Sequence, residues 1–153
     1  MNVIADRLVE LGLTLPTLAK PAGAYVPAVV TGNLVYTAGQ LPWVDGALPA
    51  TGKVGAEVSA DEAHQLARHC ALNALAALEG ALGSLDRVTR IVKVVGFVAS
   101  APDFTGQPGV MNGASELLGE VFGDAGRHAR SAVGVAVLPL DAPVEVELVA
   151  EFA

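Results

Sequence analysis

Residues 144–152 of this chain read Val-Glu-Val-Glu-Leu-Val-Ala-Glu-Phe, and this pattern decides how the C-terminal part folds. Apolar side chains occupy every second position, and glutamate fills three of the four positions between them. A period of two is typical of a β-strand with one buried face. The three glutamates fit the wet face of such a strand, so the alternation alone assigns them no chemistry.

A long helix is predicted upstream of this strand. Ser59 and Glu62 form the S-x-x-E pattern of a capping box, in which each side chain accepts a hydrogen bond from the other residue's backbone N–H. Apolar residues then recur at helical spacing as far as Gly83, which is expected to end the helix. A second helix is predicted after Pro108, with its end at Gly123.

The first third of the chain predicts a β-meander. Two strand-like runs, Tyr25–Val30 and Leu34–Ala38, flank Thr31-Gly32-Asn33. The Gly and Asn of this segment can both adopt the positive φ that a tight hairpin requires. Asp45-Gly46 indicates a further turn.

Two more strand-like runs and a short helix complete the element order. Ile91–Val98 is mostly β-branched, which indicates a strand in the centre of a sheet, and Ser131–Val137 is a second apolar run. Asn2 is expected to cap a helix through Leu11. The order predicts one α+β domain over residues 1–153, with two helices on one face of a mixed sheet. The other face needs a cover, which self-association into a cyclic oligomer is expected to supply.

Composition excludes several classes of protein. Apolar residues make up 52% and charged residues 16%, so the chain is expected to fold. Nine Lys and Arg against 16 Asp and Glu give a net charge of -7, which argues against nucleic acid or an anionic membrane as a partner. No apolar run reaches the length of about 20 residues that a membrane helix needs, and no signal peptide is recognised. A cytoplasmic location is therefore expected.

Metal and phosphate sites find little support in the residues. The three histidines, His64, His69 and His128, lack the spacing of zinc ligands. The single cysteine, Cys70, lies on the apolar stripe of the predicted long helix. Gly52-Lys53-Val54-Gly55 lacks the spacing of a phosphate loop. No metal or cofactor is predicted.

Arg130 is a long charged residue that its context does not explain by packing. It stands at the start of the small and apolar run Ser131–Val137. A guanidinium is a rigid fork that matches a carboxylate in a bidentate pair. Arg130 is therefore either an anchor for a carboxylate or a surface arginine at the end of a loop.

Two well-separated motifs carry a resemblance to a known family. Ala129-Arg130-Ser131-Ala132-Val133, followed by Leu138-Pro139 and Val144-Glu145-Val146-Glu147, resembles the C-terminal signature of the RidA/YjgF family. These are reactive intermediate deaminases, formerly described as endoribonuclease L-PSP proteins. Upstream, Gly32–Pro42 resembles the family's early hairpin, and Tyr25 stands where members often carry a tyrosine.

The resemblance implies a chorismate-mutase-like fold that assembles as a homotrimer, with ligand sites in the clefts between subunits. Active members hydrolyse enamines and imines, such as 2-aminoacrylate, to 2-keto acids and ammonia without a cofactor. The expected function is thus deamination of small 2-imino acids, as by a 2-iminobutanoate/2-iminopropanoate deaminase. The alternative is a non-catalytic protein that binds or senses a 2-keto acid or amino acid in the same cleft. Endoribonuclease activity fits poorly with the net charge of -7.

Residue by residue, the resemblance implies two catalytic side chains. Arg130 would hold the substrate carboxylate, and Glu145 would position or activate the hydrolytic water. Three further residues would contact the ligand. Gly39 would offer its backbone N–H, Tyr25 would close the cleft from the side, and Asn112 matches a polar helix residue near the pocket.

Three features depart from the family pattern. Many members carry cysteine at the position of Ala132, where only the backbone carbonyl remains to orient a water. Many carry proline at the position of His128. Its imidazole either enters the cleft, as an acid/base or a substrate contact, or faces solvent, and the sequence favours solvent. Residues 1–20 form an N-terminal helical extension, which indicates a longer branch of the family.

Overall fold

The structure is a computed structural model, and it describes residues 2–153. A short N-terminal helix precedes five strands and two longer helices. In chain order they are α1 (Val3–Glu10), β1 (Ala28–Thr31), β2 (Leu34–Thr37), α2 (Ala60–Leu82), β3 (Val88–Ala99), α3 (Gln107–Phe122), β4 (Ala129–Val135) and β5 (Val144–Phe152). Every helix within these residues is too short or too polar to cross a lipid bilayer.

The five strands form one mixed sheet in the order β1-β2-β5-β3-β4. β3 pairs in parallel with β4, and the other neighbouring strands are antiparallel. The predicted α+β class with a mixed sheet is therefore confirmed. β3 lies between two other strands, which is why its sequence is rich in β-branched residues.

The alternation in residues 144–152 separates two faces of the sheet. Val144, Val146, Leu148 and Ala150 are buried, whereas Glu145, Glu147, Val149 and Glu151 are half-buried. We call the first side the helix face, because α2 and α3 pack against it, and the second side the open face. The strand predicted from the period of two is confirmed.

Small side chains allow α2 and α3 to pack closely. α2 begins as predicted, with the Ser59 hydroxyl oxygen accepting a hydrogen bond from the backbone N–H of Glu62 at 3.1 Å. Its buried side includes many alanines, and a Cβ added at Gly113 of α3 would collide with the backbone carbonyl oxygen of His64. The two helices pack closely against each other and cover one face of the sheet, as predicted.

The first hairpin departs from the sequence-based prediction at both ends of β1. The strand begins at Ala28 rather than Tyr25, because Pro27 has no N–H to contribute to the ladder. The connecting loop is Gly32-Asn33, and only Gly32 has a positive φ, of 58°. A positive φ at the first central position alone is the pattern of a type II′ turn, so Asn33 did not need one.

The N-terminal cap of α1 also differs from the prediction. The Asn2 side chain makes no capping hydrogen bond. Instead the carboxylate of Asp86, which is distant in sequence, accepts from the backbone N–H of Val3 at 3.0 Å and of Ile4 at 2.7 Å. A carboxylate is favoured there because free N–H groups and the helix dipole make a helix N-terminus positive.

This cap predicts unequal effects for two substitutions. Asp86→Ala should lower the free energy of unfolding by about 1 kcal/mol, because it leaves two N–H groups of α1 without their acceptor. Asn2→Ala should change it by less than about 0.3 kcal/mol, since its side chain caps nothing. Urea denaturation of the two variants beside the unaltered protein measures the difference. Equal destabilisation would contradict the assignment of the cap to Asp86.

Candidate functional site

Arg130 lies on the helix face of β4 and reaches the first half of α3. Its strand partner is the buried residue Val94 of β3. Nη1 donates to Asn112 Oδ1 at 2.9 Å and to Ser115 Oγ at 3.1 Å, and Nη2 donates to the carbonyl oxygen of Pro108 at 3.2 Å. The guanidinium is therefore held by α3, and it is not a surface arginine that merely ends a loop.

This arrangement leaves part of the guanidinium available. Three of its five N–H groups are used in the bonds to α3. Among the described residues, Nε–H and one hydrogen on Nη2 have no acceptor. These two groups can form the fork that binds a carboxylate in a bidentate pair. β4 begins at Ala129, two residues earlier than predicted, so Arg130 is fixed by the sheet itself.

His128 is connected to Arg130 through a serine. Its Nδ1 lies 2.6 Å from the carbonyl oxygen of Gly126, and its Nε2 lies 2.9 Å from Ser115 Oγ. Because a carbonyl only accepts, Nδ1 carries the proton, and in the neutral ring Nε2 accepts from the serine hydroxyl. The ring is half-buried, and both of its nitrogens are bonded to protein atoms, so the expectation that His128 simply faces solvent holds only in part. His128 and Arg130 line one shallow surface depression together with Arg127.

Glu145 lies on the opposite side of the sheet. Its strand partner is Phe97, whereas the preceding residue of β3, Gly96, faces α3 and would collide with Met111 if it carried a Cβ. Glu145 is half-buried, and burial raises the pKa of its carboxyl above the ordinary value, with a smaller contribution from the charge of Glu147. A carboxyl with a raised pKa holds its proton more readily than a solvated one, and it is a stronger base once it is ionised.

Gly39 lies against Glu145, and Tyr25 shares a small cavity with Gly39. A Cβ at Gly39 would collide with Oε1 of Glu145, so only glycine allows this close approach. The Gly39 N–H has no acceptor among residues 2–153, which leaves it free to donate to a ligand. Tyr25 lines the same small cavity as Gly39 and is 51% exposed, and its hydroxyl oxygen accepts from the N–H of Ala22 at 3.2 Å.

The sequence-predicted residues thus fall into two groups within one chain. Arg130, Asn112, His128 and Ala132 lie on the helix face or against α3, and Ala132 has Gly96 as its strand partner. Glu145 lies on the open face with Gly39 beside it, and Tyr25 lines a cavity with Gly39. The structure does not bring Arg130 and Glu145 into contact.

Sequence reasoning missed Ser115, which joins Arg130 to His128. Ser115 follows Asn112 by three residues, a spacing that places both side chains on one side of a helix. The sequence shows this spacing. It does not show that β4 lies beside α3, which is what brings Arg130 and His128 to Ser115.

The described residues contain no cluster of metal ligands and no reactive thiol. No group of three His, Cys, Asp or Glu side chains in residues 2–153 is arranged to hold a metal ion. Cys70 is fully buried, and burial raises the pKa of its thiol well above the ordinary value. It is therefore an unreactive thiol rather than a nucleophile.

Comparison with known proteins identifies the family. A model of the family described as "YjgF/chorismate_mutase-like, putative endoribonuclease" matches residues 5–152. Protein TCP17 of Trypanosoma cruzi is 48% identical over 149 residues, which are 97% of this chain and 93% of that protein.

Two solved structures carry the same fold. The crystal structure of Atu1372, a protein of unknown function from Agrobacterium tumefaciens, covers 99% of this chain and 93% of its own, with 47% identity and a TM-score of 0.91. The crystal structure of E. coli TdcF with bound serine covers 92% of this chain and 96% of its own, with 27% identity and a TM-score of 0.62. The matched length, the fold and the two motifs agree, and the chain belongs to the YjgF/RidA family of chorismate-mutase-like proteins.

Proposed function

We propose that this protein hydrolyses small 2-imino acids, the tautomers of enamines such as 2-aminoacrylate, to 2-keto acids and ammonia. The observation that carries the proposal is the Arg130 guanidinium, which α3 holds while two of its N–H groups stay free beside an open depression. The substrate class follows from this fork, because an imino acid presents a carboxylate next to its reactive carbon. The bound serine of TdcF, itself an amino acid, supports a carboxylate ligand.

Glu145 is the proposed general base. Its ionised carboxylate takes a proton from a water molecule as the water oxygen adds to the imine carbon, and it passes that proton to the imine nitrogen. In the resulting carbinolamine the carboxylate, ionised again, takes the proton from the hydroxyl group and delivers it to the amino nitrogen, which leaves as ammonia, so that one water is consumed for each ammonia released. A raised pKa makes Glu145 a better base than a solvated glutamate. Holding the carboxylate and the water in fixed positions supplies the larger part of the rate.

The site is proposed to form between copies of the chain in a homotrimer. Arg130 and Glu145 lie on opposite faces of the sheet, so one chain alone cannot present both to a small substrate. The open face exposes apolar side chains that a second copy would cover, namely Val29, Tyr36 and Val133 at 53%, 47% and 44% exposure. A head-to-tail contact that closes into a ring places the Arg130 of one copy against the Glu145 of the next. The proposed number of three copies rests on the family resemblance.

A second candidate is a carboxylate sensor without turnover. Two observations favour it. The Arg130 half of the site is complete within one chain and does not use Glu145. Ala132 also leaves no side-chain thiol where many family members have cysteine. Binding of a 2-keto acid without hydrolysis of any imine would support this function.

The deaminase proposal predicts distinct effects for three substitutions. With 2-aminoacrylate or 2-iminobutanoate generated in a coupled assay, Arg130→Ala and Glu145→Gln should each lower kcat/KM by at least about 100-fold. Glu151→Gln is the matched control, because it lies on the same strand and face and should retain activity. The measurement is the rate of keto acid formation. Hydrolysis at the wild-type rate by Arg130→Ala would overturn the proposal, and inactivity of the wild type on every imine would favour the sensor.

The raised pKa of Glu145 predicts opposite effects on stability and activity. Because the folded state holds the proton of Glu145 more tightly than the unfolded state, this group stabilises the fold at low pH and loses that contribution as pH rises through its folded pKa. Glu145→Gln should therefore raise Tm relative to the wild type at pH 7, and less so at pH 4, while it abolishes turnover. Thermal unfolding at both pH values measures this, with Glu151→Gln as the control. A Tm that falls at pH 7 would contradict the assigned shift.

A further inference from the structure

A chain of hydrogen bonds runs from the protein backbone to the guanidinium of Arg130. The carbonyl oxygen of Gly126 accepts from His128 Nδ1 at 2.6 Å, and His128 Nε2 lies 2.9 Å from Ser115 Oγ. Ser115 Oγ in turn accepts from Arg130 Nη1 at 3.1 Å. In this series of hydrogen bonds, each group that accepts on one side donates on the other or is held by a donor, so each bond fixes the direction of the next.

We propose that His128 is a positioning residue, which acts through Ser115 to fix the orientation in which Arg130 receives a carboxylate. This inference rests on the proposed function of Arg130 as the carboxylate anchor. It assigns a role to a residue that stands where many family members have proline.

Ser115 needs His128 to direct its hydroxyl group. A serine hydroxyl has one hydrogen and rotates freely unless an acceptor holds it. Here Nε2 of His128 takes that hydrogen, which turns the oxygen lone pairs toward Arg130 Nη1. The second hydrogen of Nη1 is bound by Asn112 Oδ1 at 2.9 Å. Both hydrogens of Nη1 are then fixed, and the free fork at Nε and Nη2 points in one direction.

The series of hydrogen bonds ends at Gly126, in a closely packed part of the backbone. Gly126 is buried at the end of the short turn Gly123–Gly126, and a Cβ there would collide with the carbonyl oxygen of Leu118 in α3. The turn also closes on itself, with the N–H of Arg127 donating to the carbonyl oxygen of Asp124 at 3.2 Å. The carbonyl that holds His128 therefore belongs to a turn that packs directly against the C-terminal half of α3.

Two amide substitutions separate this role from simple packing. In His128→Asn the side-chain amide reaches only the position of Nδ1, so it keeps the bond to Gly126 and loses the bond to Ser115. In His128→Gln the amide reaches the position of Nε2, so it keeps an acceptor for the Ser115 hydroxyl. The probe is 2-oxobutanoate, and its Kd is measured by calorimetry. The order of the Arg130 Nε–H group is measured by ¹⁵N relaxation without ligand.

The proposal expects His128→Gln to bind 2-oxobutanoate within about twofold of the wild type, and His128→Asn to bind about fivefold more weakly, with a disordered Arg130 Nε–H signal. Ser115→Ala should weaken binding to a similar degree, and adding His128→Asn to it should cause no further loss. Where imines are hydrolysed, His128→Asn should raise KM and leave kcat within about twofold.

Two results would overturn the proposal. One is wild-type Kd and wild-type Arg130 order in His128→Asn, and the other is equal weakening by the Asn and Gln variants. Its failure is distinguishable from failure of the proposed deaminase. Binding of 2-oxobutanoate through Arg130 without turnover of any imine removes the deaminase and leaves the positioning role to be judged by the Kd values. Failure of the wild type to bind 2-oxobutanoate overturns both.

Discussion

The pleat of the β-sheet determines on which face each candidate catalytic side chain lies. Side chains of neighbouring residues in a strand point to opposite faces, and cross-strand partners share a face. Arg130 shares a row with Val94, which is buried beneath the helices, and Glu145 shares a row with Phe97. Positions 94 and 97 of one strand have opposite parity. The arginine and the glutamate are therefore separated by the thickness of the sheet, and no side-chain rotation brings them together.

This separation gives the two faces different tasks. The helix face builds the core and holds the guanidinium, since α3 supplies three acceptors from about two turns of helix, between Pro108 and Ser115. The open face holds a half-buried carboxylate whose proton is retained more tightly because water is partly excluded. Gly39 keeps that carboxylate close to the backbone by presenting no side chain. Each half is therefore formed by contacts within one chain.

Local signals in the sequence predicted much of the fold. The alternation of residues 144–152 and the cap at Ser59 each depend on a few neighbouring residues. Strand β5 and the start of helix α2 are therefore found where they were expected. The cap of α1 could not be predicted in this way, because Asp86 is 82 and 83 residues away from the N–H groups that it accepts. The start of β1 was predicted too early because the strand-like run extends back to Tyr25, although Pro27 has no N–H to contribute to the ladder.

The candidate site was predicted as a set of residues but not as an arrangement. The family motifs singled out Arg130 and Glu145, but their separation follows from the register of β3 with β4 and β5, which the sequence does not state. The bond between Ser115 and His128 likewise requires α3 to lie beside β4. The bond of His128 Nε2 was not predicted for this reason, since the neighbours of His128 in sequence give no sign that Ser115 of α3 lies beside its ring.

Mixed assemblies test most directly the claim that two copies complete one site. Arg130→Ala chains and Glu145→Gln chains, each with its own affinity tag, are expressed together and purified through both tags. If the assembly is a trimer and each site takes Arg130 from one copy and Glu145 from the next, every mixed trimer has one intact site among its three clefts, and imine hydrolysis recovers to about a third of the wild-type rate. If both residues act within one chain, no intact site forms. Mixed assemblies no more active than the parent variants would contradict the account.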